Sequence, residues 1–525
     1  MIKSSSIANR LLRNSSWNLS AYAVVVLIGV VSAPLYIKFL GLAHYGLFVL
    51  LGSVVAPFGL LSVTFGRATV KYIAEAMGAG KPHEAGFYLQ TTLLFNAVVG
   101  LLGAATLIFV SPFLTTTFFK LDPADRKLAQ VALAWAAGSW LLSQVSSTFA
   151  SVANALQKYS VSSMAQSGFT ILNLLTGIVF LWCGGGLLDL LKVRFGWAVV
   201  TVLFWVLACR RMLPGVSLWP RYHGWAFRRS LNFNAWYTVA SVGGLLANQT
   251  DKLLLGVYLS TSAIGLFNVP NLIFGTGYNA TTKVGEVLFP AFSHLQGRGE
   301  DGRLSMLLAR SCWFLSVLMV GIQGSLFVFA SDILRLYVGP GFSGAAVQVL
   351  RIFAFTAILS SPTVAVDQYL LGTARTQWTA LVCIATGLLT LFVSLLLIPR
   401  FGLAGAAWSD LAAIVLSRPL IHCLIWRKHL SAHIGIAQFF GYAYGPPMIG
   451  MVLSGLACAA YVQLDWHPGW PGLIAGLMVA FALLSSLMVV LDVFPENKQR
   501  RKDLSRLVKT ALQIVGLRSH QEPAV

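Results

Sequence analysis

Apolar runs of about twenty residues, parted by short polar stretches, recur from Trp17 to about residue 492. At 1.5 Å rise per residue each run is about 30 Å long, the thickness of a bilayer's hydrocarbon core. Backbone amides and carbonyls find no water there, so runs of this length predict helices. Spans are expected at 18–37, 47–66, 87–110, 128–152, 163–183, 187–208, 231–255, 264–289, 306–330, 345–371, 376–398, 403–426, 439–461 and 470–492. Beyond Pro495 the pattern changes. Leu504, Leu507, Val508, Ala511, Leu512 and Val515 repeat at helical spacing within a basic segment, so residues 493–525 are expected to form an amphipathic cytoplasmic tail on the membrane surface.

Composition agrees with that solvent. The chain is 57% hydrophobic and 10% charged, with a mean hydropathy of +0.75. The fold class expected is an all-α polytopic membrane protein of about 14 transmembrane helices. With a cytoplasmic N-terminus, 25 of the 37 lysines and arginines fall on the cytoplasmic side, which places both termini there. The net charge of +20 is accounted for by this bias and by anionic headgroups, with no nucleic acid required. No cleavable signal peptide is read at the N-terminus, because its first apolar run is too long. The six cysteines, in or beside apolar spans and without a C-x-x-C pair, read as small core residues.

The chain repeats itself. "FLGLAHYGLF" (39–48) returns as "YLSTSAIGLF" (258–267), placing Gly46 over Gly265, 219 residues later. The same offset sets "AMGAGK" (76–81) on "LQGRGE" (295–300). Six spans precede the second copy, so the two copies enter the membrane from the same side. Parallel repeats of this kind rock about a site between them in alternating access. The expected divisions are an N-lobe at 1–230, a C-lobe at 231–436, two extra helices at 437–492, and the tail.

Catalytic motifs are missing. There is no G-x-x-x-x-G-K-[ST], no H-E-x-x-H, no metal-spaced Cys/His set and no G-x-S-x-G, and the loops are too short for a soluble catalytic domain. The expectation is a non-enzyme with no cofactor and no metal. Asp122 and Asp125 read as a solvated loop. What remains is polar side chains on helix faces. Arg67 and Lys71 share a face of the second span; Asn271, Asn279 and Glu286 share one on the eighth, with Lys283 beside it. Asn248, Asp251 and Lys252 lie on the seventh span, Asp367 on the tenth, Asp410 and Arg418 on the twelfth. A charge at membrane depth costs roughly 2.5–3.5 kcal/mol on insertion scales. Arginine and lysine near span ends can snorkel, but aspartate is too short for that. Asp251, Asp367 and Asp410 therefore point to a cavity or an ion pair. Lys283 and Glu286 suit an i, i+3 pair equally well.

"NSSWNLSAYAVVVLIGVVSAPLYIKFLGLAHYGLF", "GRATVKYIAEAMGAGK" and "NQTDKLLLGVYLSTSAIGLFNVPNLI" resemble the multidrug/oligosaccharidyl-lipid/polysaccharide (MOP) exporter superfamily. Within it the chain is most similar to Wzx-like polysaccharide flippases, over about residues 10–430. The resemblance implies two six-helix lobes around a cavity that opens to each side in turn. The implied cargo is an oligosaccharide on a polyprenyl pyrophosphate, moved across the bacterial inner (cytoplasmic) membrane. It assigns phosphate binding to Arg67, Lys71 and Lys283. Ion coupling, to a proton or Na+, would fall to Asp251, with Lys252, Glu286, Asp367, Asp410 and Arg418 as further cavity charges. Asn248, Asn271 and Asn279 would be polar cavity residues. Implied partners are membrane lipids and polysaccharide polymerase or export proteins. Two features depart from the Wzx pattern. The extra helix pair is similar to lipid II flippases, and the cavity acids nearly balance the bases. A cation-coupled multidrug antiporter and a lipid II flippase are the alternatives.

Overall fold

The computed structural model describes residues 4–490 except 234, 340, 341, 343, 465 and 467, without the side chains of 4–27, 60–64, 159 and 232–237. The tail helix expected beyond Pro495 lies outside the described residues.

The described residues are all-α. In the first half α1 (Ser4–Val55) passes through a 3₁₀ turn at Ala56–Gly59 into α2 (Leu60–Gly78). Then come α3 (Pro82–Phe113), α4 (Pro123–Ala155), α5 (Tyr159–Trp182) and α6 (Leu187–Met212). The second half begins with α7 (Gly224–Phe233), α8 (Ala235–Tyr258), α9 (Thr261–Gly285), α10 (Leu288–Gly297), α11 (Asp301–Val328) and α12 (Ala330–Val338). It continues with α13 (Gly344–Gly372), α14 (Thr376–His429), α15 (Ile436–Gln463) and α16 (Trp470–Val490).

Two of these helices are really pairs of arms. Gly41 (φ +78°, ψ 161°) interrupts α1, and Gly402 (φ +57°, ψ −130°) interrupts α14. Both conformations are strained for a residue with a β-carbon, so glycine allows the reversal. Across the first bend Tyr36 meets Phe48 edge to face, with ring centroids 5.9 Å apart. Across the second the Thr386 and Ser417 hydroxyls hydrogen-bond at 3.0 Å. The expected spans 18–37 and 47–66 thus fall in α1 and the start of α2, and 376–398 and 403–426 are the arms of α14.

Ten helical stretches among the described residues are long and apolar enough to cross a membrane, α1 and α14 counting once each. The helices α8 and α9 fall outside that set. Their lower hydropathy comes from the run Asn248–Lys252 and from Asn268, Asn271, Thr276 and Asn279, the residues that mark their polar faces. The protein is polytopic and helical.

Two expectations change here. The run 264–289 is not one helix: α9 stops at Gly285 and α10 starts at Leu288. Pro290 has no N–H, and its ring would clash with the Glu286 carbonyl in a continuous helix. Lys283 and Glu286 therefore lie at a helix end rather than within a span. Asp122 and Asp125 are not simply loop residues either. Asp122 is the N-cap of α4 and Asp125 occupies its first turn, where a carboxylate suits the helix dipole. Asp125 Oδ1 also lies 3.4 Å from His44 Nε2, near the bend of α1.

Packing is dense within each half. In the first, α4 lies against α3 and α6, and α5 against α1; in the second, α8 lies along α14, and α13 against α11. The final pair, α15 and α16, docks on α11. The halves meet mainly where α1 crosses α9. At that crossing a β-carbon on Gly46 would overlap the Thr261 carbonyl, and one on Gly265 would press on Leu42. Leu42 and Thr261 are themselves 219 residues apart, so the contact is reciprocal across the repeat.

Candidate functional site

A buried polar cluster joins α8 to both arms of α14. Asp251 is only 3% exposed, and its Oδ1 accepts a hydrogen bond from Ser394 Oγ at 2.9 Å. Because α14 reverses at Gly402, it presents Thr390 and Ser394 from one arm and Asp410 from the other. Asp410 comes within hydrogen-bonding reach of Asp251, and the ammonium of Lys252 faces both carboxyls. A hydrogen bond between two carboxyls requires one of them to carry a proton. The Thr390 hydroxyl faces Asp410 without completing a bond of good geometry. Carboxylates and hydroxyls converging in this way can hold a proton or a small hard cation.

Asp367 and Arg418 form a second group. Asp367 on α13 and Arg418 on the second arm of α14 face each other and Tyr278 of α9. They do not close to a direct ion pair: Asp367 Oδ1 and Arg418 Nε and Nη1 are buried without hydrogen-bond partners. His422, one turn beyond Arg418, shares a 2.8 Å hydrogen bond through Nδ1 with Tyr444 of α15, while its Nε2 is unpartnered. A gap lined by unpaired polar atoms is a place for bridging water.

The remaining expected residues are spread. Lys283 Nζ donates to both oxygens of Glu286 at 2.8 and 3.0 Å, with each side chain nearly half exposed. Glu286 thus serves Lys283 and joins neither buried cluster. Arg67 and Lys71 are exposed on α2, the latter 5.1 Å from the Tyr72 ring. Asn248 is exposed and donates to its own helix at Gly244 O; Asn271 is half-buried and Asn279 exposed.

Sequence reasoning missed a cavity that lies within the first half. About 670 Å³ in volume, it opens between α1, α4, α5 and α6. Serines, Asn154, Gln166 and Thr170 supply hydroxyls and amides, while Trp140, Trp197 and Trp205 wall it. A second pocket of about 300 Å³ shares Phe48, Thr170, Asn173 and Arg194 with it and reaches Asn268 of α9. There Asn268 Nδ2 donates to Tyr45 Oη at 2.8 Å, across the two halves. Arg194 stands where the pockets join and is open to the cavity. The available signal was its interruption of the apolar run 187–208.

Comparison with known proteins agrees with the architecture. A protein family described as polysaccharide biosynthesis protein matches residues 11–296. A Haloferax volcanii protein named "Probable flippase AglR" is 25% identical over 424 residues, covering 78% of this chain and 82% of that protein. A solved structure of the lipid II flippase MurJ in an inward closed conformation superposes with a TM-score of 0.70 at 12% identity, over 90% of this chain and 98% of that one. An inward-facing multidrug resistance MATE family transporter of the MOP superfamily gives 0.62 at 12% identity, over 84% and 96%. With the fold of the MOP-superfamily transporters and a family match over more than half its length, this chain belongs to the polysaccharide biosynthesis protein family.

Proposed function

We propose that this protein is a flippase that carries a polyprenyl-pyrophosphate-linked oligosaccharide across a cytoplasmic membrane by alternating access. One observation supports this above the others: a membrane protein of a polysaccharide biosynthesis family has, open among its helices, a cavity of about 670 Å³ whose walls carry serines, amides and an arginine. Such a cavity accepts a hydrophilic headgroup and spares it the hydrocarbon. In this reading residues 1–230 and 231–436 are lobes of six spans each, the helices of 437–492 are an addition, and both termini are cytoplasmic. The reciprocal contact of Gly46 with Thr261 and Gly265 with Leu42 is what a pseudo-two-fold along the membrane normal requires.

Roles follow from the placement. Arg67 and Lys71, midway along α2, and Lys283, near the end of α9, meet the pyrophosphate as it arrives, and Glu286 holds Lys283 when the cavity is empty. The cluster of Asp251, Asp410 and Lys252, with Ser394 and Thr390, takes the coupling proton or Na+. It joins α8 to both arms of α14, so occupancy biases how that half packs. Asp367 and Arg418 serve as a water-bridged counter-charge pair in the same half. A cation-coupled drug antiporter is the second reading, favoured by those carboxyls alone.

The test is mass spectrometry of lipid extracts after the protein is depleted in its native cell. Accumulation of a polyprenyl-pyrophosphate oligosaccharide is the expected result. An unchanged lipid profile with raised sensitivity to cationic drugs would move the assignment to the antiporter.

A further inference from the structure

The cavity in the first half has a chemical polarity that the flippase reading does not require. Its lining and that of the adjoining pocket contain no aspartate or glutamate, and Arg194 is their sole charged side chain. Tyr36 is the titratable group that faces it, and among the described residues it has neither an ion pair nor a hydrogen bond. Nor does it simply escape along its helix toward the headgroups. Residues of α1, α5 and α6 surround it, and it lines both pockets at their junction. A guanidinium exposed to an open cavity, with no counter-charge of its own, is available to pair with an anion that enters with the cargo.

Position says which anion. Along α5 the cavity runs from Ser162, near Lys158, to Asn173 beside Arg194, eleven residues or about 16 Å of helix. Along α6 the same length separates Arg194 from Trp205. The Arg194 end adjoins the bend of α1 at Gly41, through Tyr36 and Tyr45. Arg67 and Lys71, the proposed pyrophosphate ligands, lie on α2, toward the opposite end of the chain's path through the membrane. A pyrophosphate tethered to a lipid tail engages those bases and leaves Arg194 to the far sugars. Between the two ends the walls suit a glycan. Trp140, Trp197 and Trp205 line the cavity, and indole faces pack against sugar C–H faces.

We infer that this cavity is the glycan subsite, and that Arg194 selects oligosaccharides bearing an anionic substituent, a sugar carboxylate, on a residue remote from the pyrophosphate. The inference rests on the flippase reading. Cargo would be bound as an ion pair, with the guanidinium donating to the carboxylate oxygens, bidentately where the approach allows.

The experiment uses the purified protein in proteoliposomes with two probes: a short-chain polyprenyl-pyrophosphate trisaccharide with a distal hexuronate, and the same molecule after carboxyl reduction to the neutral hexose. Wild type is expected to translocate the hexuronate form at least tenfold faster at limiting substrate. Arg194→Gln should bring the ratio of the two rates to within twofold of one, and Arg194→Lys should restore part of the preference. Equal rates for both probes in the wild type would overturn the inference and leave the flippase intact, a result independent of how any variant folds. Equal slowing of both probes in Arg194→Gln would assign the arginine to the pyrophosphate or to packing. Translocation of neither probe by the wild type would fail the flippase reading, and the subsite with it.

Discussion

Gly46 offers a sharp test of how the two halves engage. Gly46→Ala adds a single β-carbon that overlaps the Thr261 carbonyl, and the nearest atoms are backbone, so no side chain can swing aside. Overpacking of this kind costs about 1–3 kcal/mol in the state that makes the contact and nothing in the state that separates it. The separated population should therefore rise by about 5–150-fold. Gly265→Ala acts on the reciprocal contact with Leu42 and should give a smaller rise, since there the nearest atoms include a flexible leucine side chain. The two act on one interface, so the double variant should fall short of additivity. Ser32 is 5% exposed and lines the pocket at this end, which makes Ser32→Cys a reporter of opening. In a Cys183→Ser background, because Cys183 is exposed, cells are treated with a membrane-impermeant thiol reagent and the labelling rate of the reporter is measured. A rate within twofold of the parent, at equal protein level, would refute the idea that this crossing is a gate.

Two further outcomes follow from the charged groups. The Lys283–Glu286 pair is exposed and screened, so Lys283→Gln should change stability by less than about 1 kcal/mol while glycolipid export falls severalfold; full export at normal protein level would remove the lysine from the mechanism. Asp410→Asn preserves hydrogen bonding to Asp251 but removes one charge, so transport should lose its dependence on Na+ or on the proton gradient, and cation dependence like that of the wild type would sink the coupling role.

The expected residues differ in how well their surroundings could be foreseen. Asp251 and Asp410 stood out as too short to snorkel, and they do meet in one buried cluster. Their meeting was invisible in the sequence because it depends on the reversal at Gly402, which brings two arms of one helix to α8. Lys283 and Glu286 were legible as a pair from i, i+3 spacing, but not as a helix end; Pro290, four residues beyond Glu286, carried that information. Arg194 interrupts the apolar run 187–208, but charge near the start of a span resembles a boundary. Its neighbours Tyr36, Phe48 and Asn173 come from other helices, and no local pattern announces them.

By itself the sequence determined the solvent, the helical class and the repeat. These depend on local quantities: hydrophobic length against bilayer thickness, backbone hydrogen bonding in lipid, and a constant offset of 219 residues. Only the tertiary structure decided which polar faces share a cluster, where a cavity opens among the helices, and which base in it lacks a counter-charge. Those depend on helix rotation and crossing, set by close contacts between segments distant in sequence, such as Gly46 against Thr261. A helix carries its polar stripe wherever it packs; what the stripe faces is settled by its neighbours.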